Sequence, residues 1–191
     1  MQTGVLIVNS RTTKPVGVSK GQMMLRNIAI NPGTKESGYC VLKTGLSHGL
    51  NVEKVAKLPN DQIMALIRHC DVGNSQVVIE GLSNQGGTFG YDLIETGYTR
   101  SLEQTCEDRR IPCFIYRRFE YGRYFVTEGK LNDASLRAAL ETQYGPSAKK
   151  NDPHFLKGAS DKRSAFALAK YEYRLIHGLL LPKAGVKLQA T

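Results

Sequence analysis

The chain has 191 residues, 41% of them hydrophobic, and its 26 lysines and arginines outnumber 17 acids for a formal charge of +9. That size and apolar fraction suit one packed domain, and no apolar run approaches the roughly 18 residues that a membrane-spanning helix needs. The charge excess favours a polyanionic partner, nucleic acid first, over a merely solubilising basic surface.

Residues 1–24, basic at Arg11, Lys14 and Lys20, read as a flexible or basic arm ahead of a domain spanning 25–191. Val5–Val8 is too short for the apolar core of a signal peptide. Cys40, Cys70, Cys106 and Cys113 form no CxxC pair, which points to reduced thiols in an intracellular, cytoplasmic protein. Organelle targeting stays open.

Residues 26–31 and 38–43 read as two strands joined by a turn at Pro32-Gly33. A third strand is expected over 50–56. A helix capped by Asp61 then presents Ile63, Met64, Leu66 and Ile67 on one face. Residues 76–80, QVVIE, form a short apolar strand ending in a carboxylate, and the glycine-rich 81–90 follows as a loop. The spacing predicts a helix over 91–109 with Leu93, Ile94, Gly97, Tyr98, Leu102 and Thr105 facing inward. A strand over 111–116 comes next, bracketed by Arg109, Arg110, Arg117 and Arg118. Two more helices follow. One spans 131–144, apolar at Ala134, Leu136, Ala139 and Leu140; the other runs from 161 to about 177, apolar at Ala165, Phe166, Leu168, Ala169 and Leu175. This order defines an α/β chain with a mixed central sheet covered by helices.

Asn31 and Glu80 end strands, and Asp161 opens the last helix. Singly they read as a turn initiator, a rim charge and a helix cap. Polar groups on rigid element ends can also converge over one sheet edge. Acids that cluster there need a compensating cation. Mg²⁺ takes a few carboxylate oxygens with waters and phosphates, and two such ions about 3.5–4 Å apart can serve phosphodiester hydrolysis.

NIAINPGTKESGYCVL (27–42), VVIEG (77–81) and SDKRSAFALAKY (160–171) stand in an order, with a matching segment over 111–145, that resembles the RuvC-like Holliday junction resolvases of the RNase H-like superfamily. The resemblance covers about residues 26–178 and leans towards bacteriophage versions. It implies an RNase H-like α/β fold and a structure-selective endonuclease resolving four-way and branched DNA with Mg²⁺ or Mn²⁺, two ions in the active form. Asn31, Glu80 and Asp161 would be the catalytic, metal-holding set. The partners implied are branched DNA and a second copy of the chain, in a homodimer formed through helix 91–109 at Gly97. A phage-encoded chain would work in the host cytoplasm.

Two positions depart from the family pattern. Asn31 occupies the place of an aspartate, so the amide stands in for a carboxylate, whether engineered or natural, and cleavage should be depressed. Ser164 stands where the family often has a second helical acid; it could hold a water on a metal. Asp152 and His154 could supply a further ligand or a general base, or belong to an ordinary polar loop. Arg109, Arg110, Arg117, Arg118, Arg123, Lys130, Lys149 and Lys150 are expected to contact DNA, with Tyr121 and Tyr124 interleaved among them. Phe89, in the glycine-rich loop, is the candidate wedge between bases. A non-catalytic junction-binding protein, and an RNase H-like nuclease acting on RNA or RNA–DNA hybrid, remain as alternatives.

Overall fold

The computed structural model describes residues 25–44, 50–81, 89–145 and 160–176, with the backbone alone at 44, 50 and 89–93. The expected arm over 1–24 lies outside the described residues. The elements are β1 (Arg26–Asn31), β2 (Glu36–Thr44), β3 (Leu50–Pro59), α1 (Asn60–His69), β4 (Ser75–Gly81), α2 (Phe89–Arg109), β5 (Cys113–Arg117), α3 (Arg118–Phe125), α4 (Asp133–Tyr144) and α5 (Ser160–Ile176). They build one five-stranded sheet in the order β3-β2-β1-β4-β5. β1 runs antiparallel to β2 and parallel to β4, β3 is antiparallel to β2, and β5 is parallel to β4.

The apolar runs in β1 and β4 reflect strands buried on both faces. Side chains alternate along them. Ile28, Ile30, Val77 and Ile79 pack with Ile63, Ile67, Leu102 and Cys106 of α1 and α2. Ala29, Val78, Cys40 and Leu42 face the other layer, where Phe166 and Leu168 of α5 meet Tyr121, Leu136 and Leu140 of α3 and α4. α5 is therefore enclosed, and every residue from Ser164 to Lys170 is buried. Asn27 Nδ2 donates to the Ala169 carbonyl at 3.0 Å and pins α5 to β1. The Lys170 ammonium lies 4.8 Å from the Tyr144 ring centre and 5.2 Å from that of Phe166, and burial pushes its pKa down to about 8.

Several local expectations are corrected. α3 occupies Arg118–Phe125, between the strand expected over 111–116 and the helix expected over 131–144, where no element was expected. Glu120 Oε2 accepts from the Arg117 backbone N–H at its start. Gly122 inside it is a close approach: a Cβ there would sit 2.8 Å from Leu131 Cδ2. α4 starts two residues late because Asn132 and Ser135 cap it reciprocally, each side chain accepting from the other's backbone N–H at 2.9 Å. β5 starts at Cys113, after a proline that has no N–H to give the ladder. Asp61 is not the cap of α1; that position is Pro59. On α2, Ile94 (55% exposed) and Gly97 face outward. Leu102 is buried and Tyr98 packs against the core as expected, and the inward stripe continues through Thr99 and Cys106, both buried; the side chain of Leu93 lies outside the described residues.

Candidate active site

The parallel register Ile30↔Ile79 leaves Asn31 and Glu80 next in line at the carboxyl ends of β1 and β4. The Asn31 amide Nδ2 donates to Glu80 Oε2 at 2.6 Å. Asn31 pairs across β2 with Gly38, and Gly38 with Lys57 of β3. One transverse row thus carries Lys57, Gly38, Asn31 and Glu80. A Cβ on Gly38 would sit 2.3 Å from the Asp161 carbonyl oxygen and 2.9 Å from its Cβ. Only glycine lets the start of α5 close on the sheet there, and that contact delivers Asp161 to the row. A cleft of about 530 Å³ opens over it, lined by Asn31, Lys57, Glu80, Glu95, Arg118 and Asp161 together with the turn 32–36 and Gly81.

The two carboxylates have different environments. Glu80 is largely buried, its side chain 13% exposed. Its Oε2 also accepts from the Tyr121 hydroxyl at 2.7 Å, and Arg118 Nη1 lies 3.7 Å from Oε1. Burial pushes the Glu80 carboxyl above the ordinary range, while Arg118 and the Tyr121 hydrogen bond pull it back. Burial, reinforced by the Glu80 charge, holds the Tyr121 phenol well above its usual value, so it stays a donor. Arg118 itself donates to Ser164 Oγ at 3.0 Å and pairs with Asp133. Asp161 is more open and meets Lys57 Nζ at 2.8 Å; that contact raises the lysine pKa.

These donors are all oxygens, a match for hard divalent ions. Among the described residues no group of three or more His, Cys, Asp and Glu is placed to hold a metal. The third donor in the row is an amide, and Lys57 and Arg118 already neutralise the carboxylates. Glu80 and Asp161 together carry the charge to balance one divalent ion; Glu36 and Glu95 also line the cleft, and an aspartate at 31 would add one further negative charge.

The other anticipated residues divide sharply. Ser164 is fully buried beneath Arg118, its oxygen taken by that guanidinium, and does not line the cleft. Tyr121 is fully buried against Glu80, which removes it from any base-contacting surface. Tyr124 is half-buried, edge-on to Phe125 with centroids 4.9 Å apart and with the Arg174 guanidinium 4.9 Å from its ring centre.

The arginines around β5 do not form one cluster. The register pairs Arg117 with Gly81 beside the cleft and Cys113 with Val77. Four strand residues, about 13 Å, carry Cys113 away from that edge, and Arg109 and Arg110 lie beyond it. Arg109 there donates to the Cys70 carbonyl at 3.2 Å. Arg123 and Lys130 are exposed, Arg123 donating to the Gly129 carbonyl at 2.8 Å. Asp152, His154, Lys149, Lys150 and the side chain of Phe89 lie outside the described residues.

Sequence reasoning passed over Lys57, Glu95 and Phe119. Phe119 is 55% exposed directly beside Arg118. The signal for Lys57 was its pairing with Gly38, which strand spacing alone does not reveal.

No protein-family model and no curated protein sequence matches the chain. Solved structures do match it in fold. RuvC of Thermus thermophilus aligns over 81% of this chain and 97% of its own, with a TM-score of 0.57 at 12% identity. The same protein in complex with a Holliday junction substrate aligns over 79% and 96%, with a TM-score of 0.52 at 12% identity. The yeast mitochondrial Holliday junction resolvase Ydc2 covers 82% and 81%, with a TM-score of 0.57 at 11% identity. The fold is therefore the RuvC-like form of the RNase H-like architecture, as the motifs implied.

Proposed function

We propose that the chain is a structure-selective endonuclease of the Holliday junction resolvase type, of phage lineage, with its cleavage held down by Asn31. The observation that carries this reading is the convergence of Asn31, Glu80 and Asp161 on one cleft of a RuvC-like fold. Asn31, Glu80 and Asp161 would hold Mg²⁺ or Mn²⁺, which when bound supplies a Lewis acid for phosphodiester hydrolysis. Tyr121 and Arg118 fix the Glu80 carboxylate by hydrogen bond and charge. Arg117, Arg123 and Lys130 are exposed cations suited to phosphate. The likeness to RuvC bound to a Holliday junction substrate supports four-way DNA as the substrate class. A homodimer would present the outward Ile94 and Gly97 face of α2 to its twin, and a two-fold assembly suits paired cuts.

The test is Mg²⁺-dependent cleavage of a synthetic four-way junction by the Asn31→Asp variant beside the present chain. Tight binding by both, with cutting by the variant only, is expected. Failure of the variant to cut while still binding would favour the second reading, a non-catalytic junction-binding protein. That reading draws on the neutral amide at 31 and on two carboxylates already paired with Lys57 and Arg118.

A further inference from the structure

Two of the cations that line the cleft, Arg118 and Lys57, are held differently. Arg118 is fixed by Ser164, Asp133 and Glu80. Lys57 reaches from β3 past Gly38, which has no side chain to bar the way, and its ammonium stops 2.8 Å from Asp161 Oδ2. Both partners keep about a third of their side-chain surface exposed, 34% and 31%. A lysine is a compact charge on a flexible stem, so it can change partners without rebuilding the site.

A carboxylate oxygen that faces an ammonium at this distance cannot also serve a divalent ion without setting two cations against each other. Among the described residues Asp161 Oδ1 meets only the Ser160 hydroxyl, at 3.3 Å, so an ion seated on this carboxylate would repel the ammonium on Oδ2 and favour its displacement; β3 keeps the lysine stem at the cleft wall, near Glu36 and open to an incoming anion. We propose that Lys57 is the exchangeable counter-ion of Asp161: it neutralises that carboxylate in the metal-free chain, releases it to a divalent ion, and then takes a phosphate oxygen of bound DNA. This makes Lys57 a positioning residue for metal loading and a phosphate contact at the same site. The inference rests on the nuclease reading of that site.

The experiment compares Lys57→Met and Lys57→Arg with their parent in the Asn31→Asp background, each first shown to unfold cooperatively at the parent's temperature. Mn²⁺ binding without DNA is read from the electron paramagnetic resonance of free Mn²⁺. Lys57→Met should bind Mn²⁺ about 2- to 5-fold more tightly, the range of one exposed ion pair, while Lys57→Arg stays near the parent. Junction binding is then measured in the Asn31 chain at an Mn²⁺ concentration shown by the same resonance method to load it, where Lys57→Met should bind more weakly and flatten the salt dependence by about one unit of slope. Mn²⁺ affinity that does not rise in Lys57→Met overturns the counter-ion role. A risen affinity with unchanged junction binding overturns the phosphate contact. Absence of Mn²⁺ binding in the Asn31→Asp parent overturns the metal-site reading itself and the inference with it, a result distinct from an unchanged affinity.

Discussion

The hydroxyl of Tyr121 lies 2.7 Å from Glu80 Oε2, the same oxygen that the Asn31 amide reaches at 2.6 Å. A buried carboxylate is thus held by two neutral donors on one oxygen and a guanidinium near the other. Tyr121 belongs to α3, so this short helix fixes the position of a cleft residue on β4.

Replacing Tyr121 with Phe keeps the ring and removes the donor. Loss of one hydrogen bond to a buried charged group should cost about 1–3 kcal/mol, seen as a lower midpoint in urea unfolding. The change should also push the Glu80 carboxyl further up, since a hydrogen bond that favours its charged form is gone. In the Asn31→Asp background the acid limb of the cleavage–pH profile should therefore move to higher pH. An unmoved limb would show that Tyr121 only fills space.

Gly38→Ala and Gly97→Ala separate two roles for glycine. At Gly38 the added carbon would fall 2.3 Å from the Asp161 carbonyl oxygen, a backbone atom that cannot simply turn aside. Displacing the start of α5 should cost roughly 1–3 kcal/mol, the usual range for overpacking, and cleavage in the Asn31→Asp background should fall with it. At Gly97 nothing lies within 4 Å, so alanine in this helix should be neutral or gain about 0.5–1 kcal/mol. If α2 pairs two copies of the chain, Gly97→Ala should instead weaken the dimer, which sedimentation equilibrium measures. Both outcomes are read from the same purified variant.

Lys170 makes stability depend on pH. Its folded-state pKa of about 8 lies below the ordinary 10.5, so between these values the unfolded chain binds more protons than the folded one. Stability from this group therefore rises as pH increases from about 8 towards 10.5, and the full penalty is present below about 8. The penalty is about 3 kcal/mol, less what the Tyr144 and Phe166 rings return. Lys170→Met should raise the melting temperature at pH 7. The gain should shrink as the pH approaches 10, and a gain independent of pH would reject the assignment.

Most of the architecture was legible because its signals are local. The runs in β1 and β4 and the periodicity of α4 and α5 are burial patterns written in consecutive residues. α3 was not, because Gly122 in mid-helix looks like a turn until its packing on Leu131 is known. The strand ends carrying Asn31 and Glu80 could be read from the chain. That they meet depends on the parallel register of β1 and β4, which no local pattern encodes. The basic residues were harder still. Their number is compositional, but whether an arginine faces the cleft edge, like Arg117, or ties a loop at the far edge, like Arg109, depends on register and on its hydrogen-bond partner.

Arg117, Arg123 and Lys130 are exposed; if they contact phosphate, each change to Ala should weaken junction binding, leave the unfolding free energy within about 0.5 kcal/mol, and lower the salt slope by about one. Arg109 holds the Cys70 carbonyl between α1 and α2. Arg109→Ala should lose about 1 kcal/mol or more of stability through that hydrogen bond and leave the salt slope unchanged. Measured on the Arg117 and Arg109 variants, the two quantities decide which edge of the sheet carries the polyanion surface, and Arg123 and Lys130 report whether it extends over α3 and the turn after it. A salt slope that falls for Arg109 and not for Arg117 would put the DNA on the opposite edge.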